Sequence, residues 1–242
     1  MAKKLKVALV GYGKMGKMIE QMALGRGHTI VAKIDEQSGI SDWDAVNEAD
    51  VAIEFTRPDS AVSNIRKCFD RNVPVVVGTT GWYEALPEMK DLCARTGQSL
   101  FTASNFSIGV NLFFYINSML AKAMEQMPEY NVRIEEVHHT QKLDAPSGTA
   151  ITIAEGILAE LSRKTKWSLS PDSSSEADLQ IDAVRKDEVP GTHTVTYSSV
   201  VDDIEIRHTA HNRSGFAIGA VIAAEWLHDK KGYHSMNDII GF

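Results

Sequence analysis

The densest concentration of reactive side chains is the stretch Glu136-Val137-His138-His139-Thr140-Gln141-Lys142-Leu143-Asp144-Ala145-Pro146-Ser147-Gly148-Thr149-Ala150. Two adjacent histidines titrate near neutral pH and can move protons. Lys142 supplies positive charge, and Pro146-Ser147-Gly148-Thr149 reads as the mouth of a helix, where unsatisfied amides favour an anion. With Ser147 as N-cap, the amides of Gly148 and Thr149 and the Thr149 hydroxyl point into the space of Lys142 and the histidines. That combination suits protonation of a substrate bearing carboxylates.

A second constellation opens the chain. The apolar run at 5–10 stops at Gly11-Tyr12-Gly13-Lys14-Met15-Gly16, after which Met18, Ile19, Met22 and Ala23 recur at helical spacing. A further strand-like run, Thr29-Ile30-Val31-Ala32-Lys33-Ile34, ends at Asp35, ~20 residues beyond the glycines, as a dinucleotide-binding fingerprint requires. Gly11 permits the turn, Gly13 lets backbone approach a pyrophosphate, and Gly16 lets the helix pack on its strand. Asp35 would accept hydrogen bonds from the adenosine ribose. Glu36 adds negative charge where a 2′-phosphate would sit, which favours NADH over NADPH, while Lys33, on the same strand face as Asp35, softens the discrimination.

The elements that must position these groups alternate. Strand-like runs at 51–55, 74–77 and 100–103 are separated by helical patterns at 60–71 and 84–95, which predicts a parallel sheet with ligands at its carboxyl ends. Three strand ends, Phe55-Thr56-Arg57-Pro58, Gly78-Thr79-Thr80-Gly81 and Ala103-Ser104-Asn105-Phe106, carry small or hydroxyl residues suited to a cofactor crossing that edge. Beyond a helix at 110–127, the strand at 131–139 slips in its alternation: Val132 and Ile134 share one face and Val137 falls on the other. A bulge near Glu135-Glu136 is expected, with both glutamates on a solvated face. A helix at 150–161 follows, then a polar exposed loop at 167–175, strands at 179–185, 193–198 and 204–210, and a last helix at 216–227. The expected fold is α/β: a Rossmann-type doubly wound parallel sheet formed by 1–106 and 215–242, and an α+β domain with a mixed or antiparallel sheet at 107–214.

Composition narrows the function. A net charge of -7 over 242 residues, with no basic stripe, argues against a nucleic-acid partner. Cys68 and Cys93 follow no disulfide or zinc spacing and read as reduced thiols. Neither a signal-peptide pattern nor a membrane-spanning run is present, so a cytoplasmic protein is expected. His208 and His211 lack zinc-site spacing and no metal is expected. Arg213, at a strand-to-helix junction, is a further pocket candidate.

The window His138-His139-Thr140-Gln141-Lys142-Leu143-Asp144-Ala145-Pro146-Ser147-Gly148-Thr149-Ala150 resembles the signature of the bacterial dihydrodipicolinate reductase family. The resemblance extends over nearly the whole chain, through Gly11 to Gly16, the three strand ends, Pro190-Gly191-Thr192-His193, and Arg213 with Phe216-Ala217. It implies reduction of 4-hydroxy-tetrahydrodipicolinate, or the dihydrodipicolinate formed from it, to tetrahydrodipicolinate by a nicotinamide hydride, in lysine and diaminopimelate biosynthesis. It also implies His138 as proton donor, Lys142 as second acid or electrostatic clamp, His139, Gly148 and Thr149 as substrate-binding residues, a small dicarboxylate as partner, and a homotetramer. The cofactor-binding set it implies is Gly11, Tyr12, Gly13, Lys14, Met15, Gly16, Asp35, Gly78, Thr79, Thr80, Ala103, Ser104, Asn105 and Phe106. Where many relatives have His-His-Arg-His-Lys, this chain has Thr140 and Gln141, so less positive charge surrounds the substrate. Relatives carry an arginine where this chain has Glu36, and the interval between Asp35 and Val51 is shorter. The competing readings are another two-domain dehydrogenase of amino or hydroxy acids, and a non-catalytic dinucleotide-binding protein.

Overall fold

Successive residues of β1 (Lys6–Val10) face opposite ways: Val7 and Leu9 enter one apolar cluster, Ala8 and Val10 another. A strand buried on both faces belongs in a parallel sheet covered by helices on each side. The structure is a computed structural model describing residues 3–170, 175–212 and 214–241. The chain forms two compact units, Met1–Ile108 with Ser214–Phe242, and Gly109–Arg213.

In the first unit, six parallel strands run in the order β11-β5-β4-β3-β1-β2. They are β1, β2 (Thr29–Ile34), β3 (Val51–Glu54), β4 (Val75–Val77), β5 (Ser99–Thr102) and β11 (Gly232–His234). Helices α1 (Lys14–Gly25) and α7 (Ser214–Leu227) cover the face of Val7, Leu9 and Ile53. Helices α3 (Pro58–Asp70) and α4 (Leu86–Thr96) cover the face of Ala8, Ala52 and Val75. This is the expected doubly wound sheet. Because all strands are parallel, Gly11, Phe55, Gly78 and Ala103 leave it along one edge. The interval between Asp35 and Val51 holds a short helix, α2 (Ile40–Ala45), and a 3-10 turn (Val46–Glu48). Strand β11 and the final helix α8 (Met236–Ile240) are additions to the sequence reading, since three and five residues carry too little periodicity to register.

In the second unit, five strands run in the order β10-β9-β6-β8-β7. They are β6 (Asn131–His138), β7 (Lys166–Leu169), β8 (Asp178–Arg185), β9 (Thr192–Ser198) and β10 (Asp203–Thr209). Strand β6 pairs parallel with β8 and antiparallel with β9, so the sheet is mixed. Its inner face, with Ile134, Ile181, Val195 and Tyr197, packs against α5 (Ile108–Met124) and α6 (Gly148–Glu160) through Phe113, Ala121, Ile153 and Ile157.

Two expectations fail here. The register of β6 is unbroken on both sides, so the bulge near Glu135-Glu136 does not form. The strand keeps its period of two; at Glu136 the inward position changes from apolar to charged, which reads in sequence as a slip. Glu136 is accordingly fully buried instead of solvated, at 0% exposure, whereas Glu135 is exposed. Nor are residues 167–169 loop: as part of β7 they pair with β8 at the sheet edge, Trp167 packs on the core, and the Ser170 amide continues the pairing to the Ile181 carbonyl at 2.9 Å. Residues 171–174 of that stretch lie outside the described residues. Among the described residues no helix is long and apolar enough to cross a membrane.

Candidate active site

In the first unit, helix α1 begins at Gly13 without a side-chain cap and without an acidic residue in its first turn. Its leading amides therefore keep the partial positive charge of a helix N-terminus. Gly11 takes a φ of 100° with its α-carbon against the Phe55 carbonyl oxygen, which a Cβ would meet at 2.0 Å. A Cβ at Gly16 would meet the Gly11 carbonyl at 2.1 Å, while one at Gly13 would meet nothing within 4 Å. The three glycines thus divide as the fingerprint requires: two for close packing, one leaving open space at the helix mouth.

That space is a cavity of about 840 Å³ lined by Gly11, Tyr12, Gly13, Asp35, Glu36 and Arg57 among others. An open uncapped helix mouth at one side and a carboxylate after β2 at the other fit a dinucleotide, with the pyrophosphate toward Gly13 and the ribose toward Asp35. Asp35 Oδ1 already accepts from the Gln37 amide at 2.9 Å and the Ser38 hydroxyl at 3.2 Å, which fixes its orientation. Lys33 is drawn to the opposite partner set, Glu20 at 2.7 Å and the Tyr12 hydroxyl at 3.1 Å. Arg57, a cation at the ribose side not weighed in the sequence, lies 3.3 Å from Glu36 and 2.8 Å from Asp59.

The other cofactor candidates are distributed along the strand ends. Lys14, Met15 and Gly16 form the first turn of α1. Thr79 Oγ1 accepts from the Thr56 amide at 2.7 Å and its carbonyl accepts from the Trp82 indole at 2.7 Å, which ties the ends of β3 and β4 together; Gly78 and Thr80 flank it. Ala103, Ser104 and Asn105 follow β5, with Asn105 Oδ1 accepting from the Ser107 amide at 2.9 Å. The Phe106 ring turns into the core against Phe55 and Phe101, so only its backbone is available to a ligand. Both cysteines are buried; burial raises Cys68 to about 12 and also raises Cys93, so both remain thiols.

In the second unit, strand register gathers the chemistry. Glu136 stands opposite His193 across the β6–β9 pair, and His138 opposite Arg185 across β6–β8. One oxygen of Glu136 accepts from Arg185 Nη2 at 3.0 Å, and both accept from the Ser147 amide at 3.1 Å. Its Oε2 lies 3.4 Å from His138 Nδ1 and 3.7 Å from His193 Nε2. His193 Nε2 also hydrogen-bonds Ser147 Oγ at 3.2 Å. Burial alone would raise the Glu136 carboxyl; the nearby His193 ring, the hydrogen bonds from Ser147 and Arg185 and the neighbouring His138 outweigh it and hold the group down to about 2. His138, 7% exposed, is lowered to about 4 by burial, opposed by Glu136 and reinforced by the like charges of His193, Lys142 and Arg185.

The helix mouth forms as expected. Ser147 caps α6, its hydroxyl accepting from the Ala150 amide at 3.1 Å, and the amides of Gly148 and Thr149 have no acceptor within the first turn. Gly148 is exposed, with nothing within 4 Å of where a Cβ would stand. Lys142 Nζ pairs with both oxygens of Asp144 at 2.8 Å, His139 is half-buried, and Thr140 Oγ1 donates to Asp187 at 2.6 Å. Sequence reasoning missed Glu136, Arg185 and His193 as members of this cluster. The available signal was the even-numbered series Val132, Ile134, Glu136, His138, read as one inward face. His208 is paired across the sheet from His193 with its ring against Phe113, and His211 lies beyond β10 at the surface. Arg213 lies outside the described residues.

Comparison with known proteins identifies the family. Residues 5–106 match the profile of the dihydrodipicolinate reductase N-terminus and residues 109–240 that of its C-terminus. The chain is 48% identical to a 4-hydroxy-tetrahydrodipicolinate reductase of Christiangramia forsetii, with 98% of each chain covered, and 32% identical to one of Neisseria gonorrhoeae, covering 98% of this chain and 97% of that one. Among solved structures it is similar to a dipicolinate-bound dihydrodipicolinate reductase from Paenisporosarcina sp. TG-14, at a TM-score of 0.82 and 24% identity over 98% of this chain and 100% of the other. The chain belongs to the dihydrodipicolinate reductase family, whose members are NAD(P)H-dependent oxidoreductases.

Proposed function

We propose that this chain reduces 4-hydroxy-tetrahydrodipicolinate, or the dihydrodipicolinate formed from it by loss of water, to tetrahydrodipicolinate, a step of lysine and diaminopimelate biosynthesis. The observation that carries the reading is the lock between the end of β6 and the mouth of α6, where buried Glu136 holds the Ser147 amide. It ties the strand that carries His138 to the helix mouth that carries the amides of Gly148 and Thr149. Those amides, with Lys142 and His139, bind the carboxylates of the substrate. When bound at Gly11–Gly16 and Asp35, NAD(P)H supplies the hydride. Addition to the conjugated ring leaves an electron-rich enamine, and His138 gives it a proton. Lys142 steadies the negative charge, as acid or as electrostatic clamp.

NADH is the favoured cofactor. Asp35 and Glu36 present two carboxylates at the ribose, Arg57 is already matched by Glu36 and Asp59, and Lys33 by Glu20. Strand-end residues Gly78, Thr79, Thr80, Ala103, Ser104, Asn105 and Phe106 complete the cofactor edge through backbone and hydroxyl groups, with Tyr12, Lys14 and Met15 at the turn. A homotetramer is supported by the family resemblance and by an exposed apolar stripe on α5, Leu112, Ile116 and Met119.

The test is NADH oxidation made dependent on the upstream aldol condensation product. His138→Gln is expected to lower kcat by ~10²–10⁴-fold while leaving NADH affinity intact. Oxidation independent of that product, or a His138→Gln enzyme turning over at the parental rate, would sink the assignment. For the cofactor, Glu36→Arg should improve NADPH affinity selectively; equal NADH and NADPH affinities in the parent would overturn the charge argument.

A further inference from the structure

We propose that Glu136 is the positioning residue of the proton donor: its carboxylate orients His138 by the Nδ1 edge and favours the doubly protonated ring, whose Nε2 delivers the proton. The inference rests on reading His138 as the donor.

The geometry leaves the carboxylate little freedom. Arg185 Nη2 holds Oε1 at 3.0 Å and the Ser147 amide spans both oxygens at 3.1 Å, so Oε2 stays turned toward the imidazoles. His138 Nδ1 is buried and makes no hydrogen bond of its own, with Glu136 Oε2 beside it at 3.4 Å. The opposite edge of the ring is kept clear by a residue without a side chain: a Cβ on Gly191 would stand 3.0 Å from His138 Nε2. One edge of the ring thus faces a fixed carboxylate and the other the side-chain-free backbone of Gly191.

The charges around the ring come from every packed element. Glu136 lies on its own strand, Arg185 on β8, His193 on β9, and Lys142 in the loop beyond. Of these, Glu136 alone is negative and alone favours the protonated ring; the others and burial oppose it. Two substrate carboxylates act in the same direction as Glu136, so the ring gains its proton as the substrate binds. In the step itself the Nε2–H bond breaks and a C–H bond forms at the enamine carbon. The ring is left neutral with its remaining proton on Nδ1 facing Glu136, and solvent restores the Nε2 proton.

The experiment compares parent, Glu136→Gln, Glu136→Asp and His138→Gln in kcat and KM between pH 5 and 9. Glu136→Gln keeps shape and loses charge. Because the acid must be protonated, the alkaline limb of its kcat profile is expected at least one pH unit below the parent's, with KM for NADH unchanged, and Glu136→Asp is expected to restore the limb. A Glu136→Gln profile that is lowered but unshifted would overturn the proposal and leave Glu136 a structural residue. Full turnover in His138→Gln would instead overturn the donor reading beneath it. Should Glu136→Gln fail to fold, ¹⁵N shifts of His138 in the parent decide: the neutral ring is expected to carry its proton on Nδ1, and a proton on Nε2 would refute the inference.

Discussion

Two glutamates occupy sheet strands at 0% exposure, Glu54 on β3 and Glu136 on β6, and although burial raises both carboxyls their net shifts are opposite. Around Glu54 stand only neutral donors, the Thr56 and Thr79 hydroxyls and the Asn64 amide at 3.3 Å. Desolvation prevails there and its pKa is raised. Around Glu136 stand a guanidinium, a backbone amide and two imidazoles, and the group is held down to about 2 despite the same burial. Depth therefore does not set charge state; the partners do. Neutral donors around Glu54 leave burial dominant beside a dinucleotide cavity, whereas a guanidinium and two histidine rings around Glu136 keep a carboxylate next to the His138 ring.

The sharpest way to break the contrast is to remove the cation. Arg185→Met removes the guanidinium partner of the buried Glu136, and urea denaturation at pH 7.5 should record a loss of about 3–5 kcal/mol. Charge removal comes next. Glu136→Gln is expected to cost about 1.5–3 kcal/mol because charged hydrogen bonds are lost, against less than about 1 kcal/mol for Glu54→Gln, whose hydrogen-bonding neighbours are all neutral. Equal costs would dissolve the comparison.

The pH dependence has opposite signs. Glu136 is depressed, so its contribution is complete above the unfolded carboxylate pKa of about 4.3 and fades as pH falls from there toward about 2. Glu54 is raised, so its contribution is complete below that unfolded value and fades as pH rises through its folded pKa. Thermal unfolding of Glu54→Gln should therefore converge on the parent or exceed it at the alkaline end, while Glu136→Gln should lose its deficit at the acid end. A loss of about 1 kcal/mol is expected from Thr56→Val, measured by the same melts, since Glu54 keeps Asn64.

The dinucleotide unit was largely legible because its signals are local: glycine spacing, apolar strands and an acidic residue after β2 all fall within one stretch of chain. The second site was half legible. His138, Lys142 and the α6 cap share a window, but Arg185 and His193 arrive from strands whose register no local pattern reveals. Glu136 was misjudged for a different reason, since a charge at an inward position imitates a break in alternation. Short edge elements such as β7 and β11 stay hidden because pairing, not composition, forms them.

Lys142 meets any ligand already engaged with Asp144. On the proposed function, capturing a carboxylate there would be an exchange of partners at one ammonium group, with Asp144 as a tethered stand-in for the substrate. Such an exchange would change the number of ion pairs by zero, so on that proposal selectivity at this position would rest on shape and on the second carboxylate at the α6 mouth.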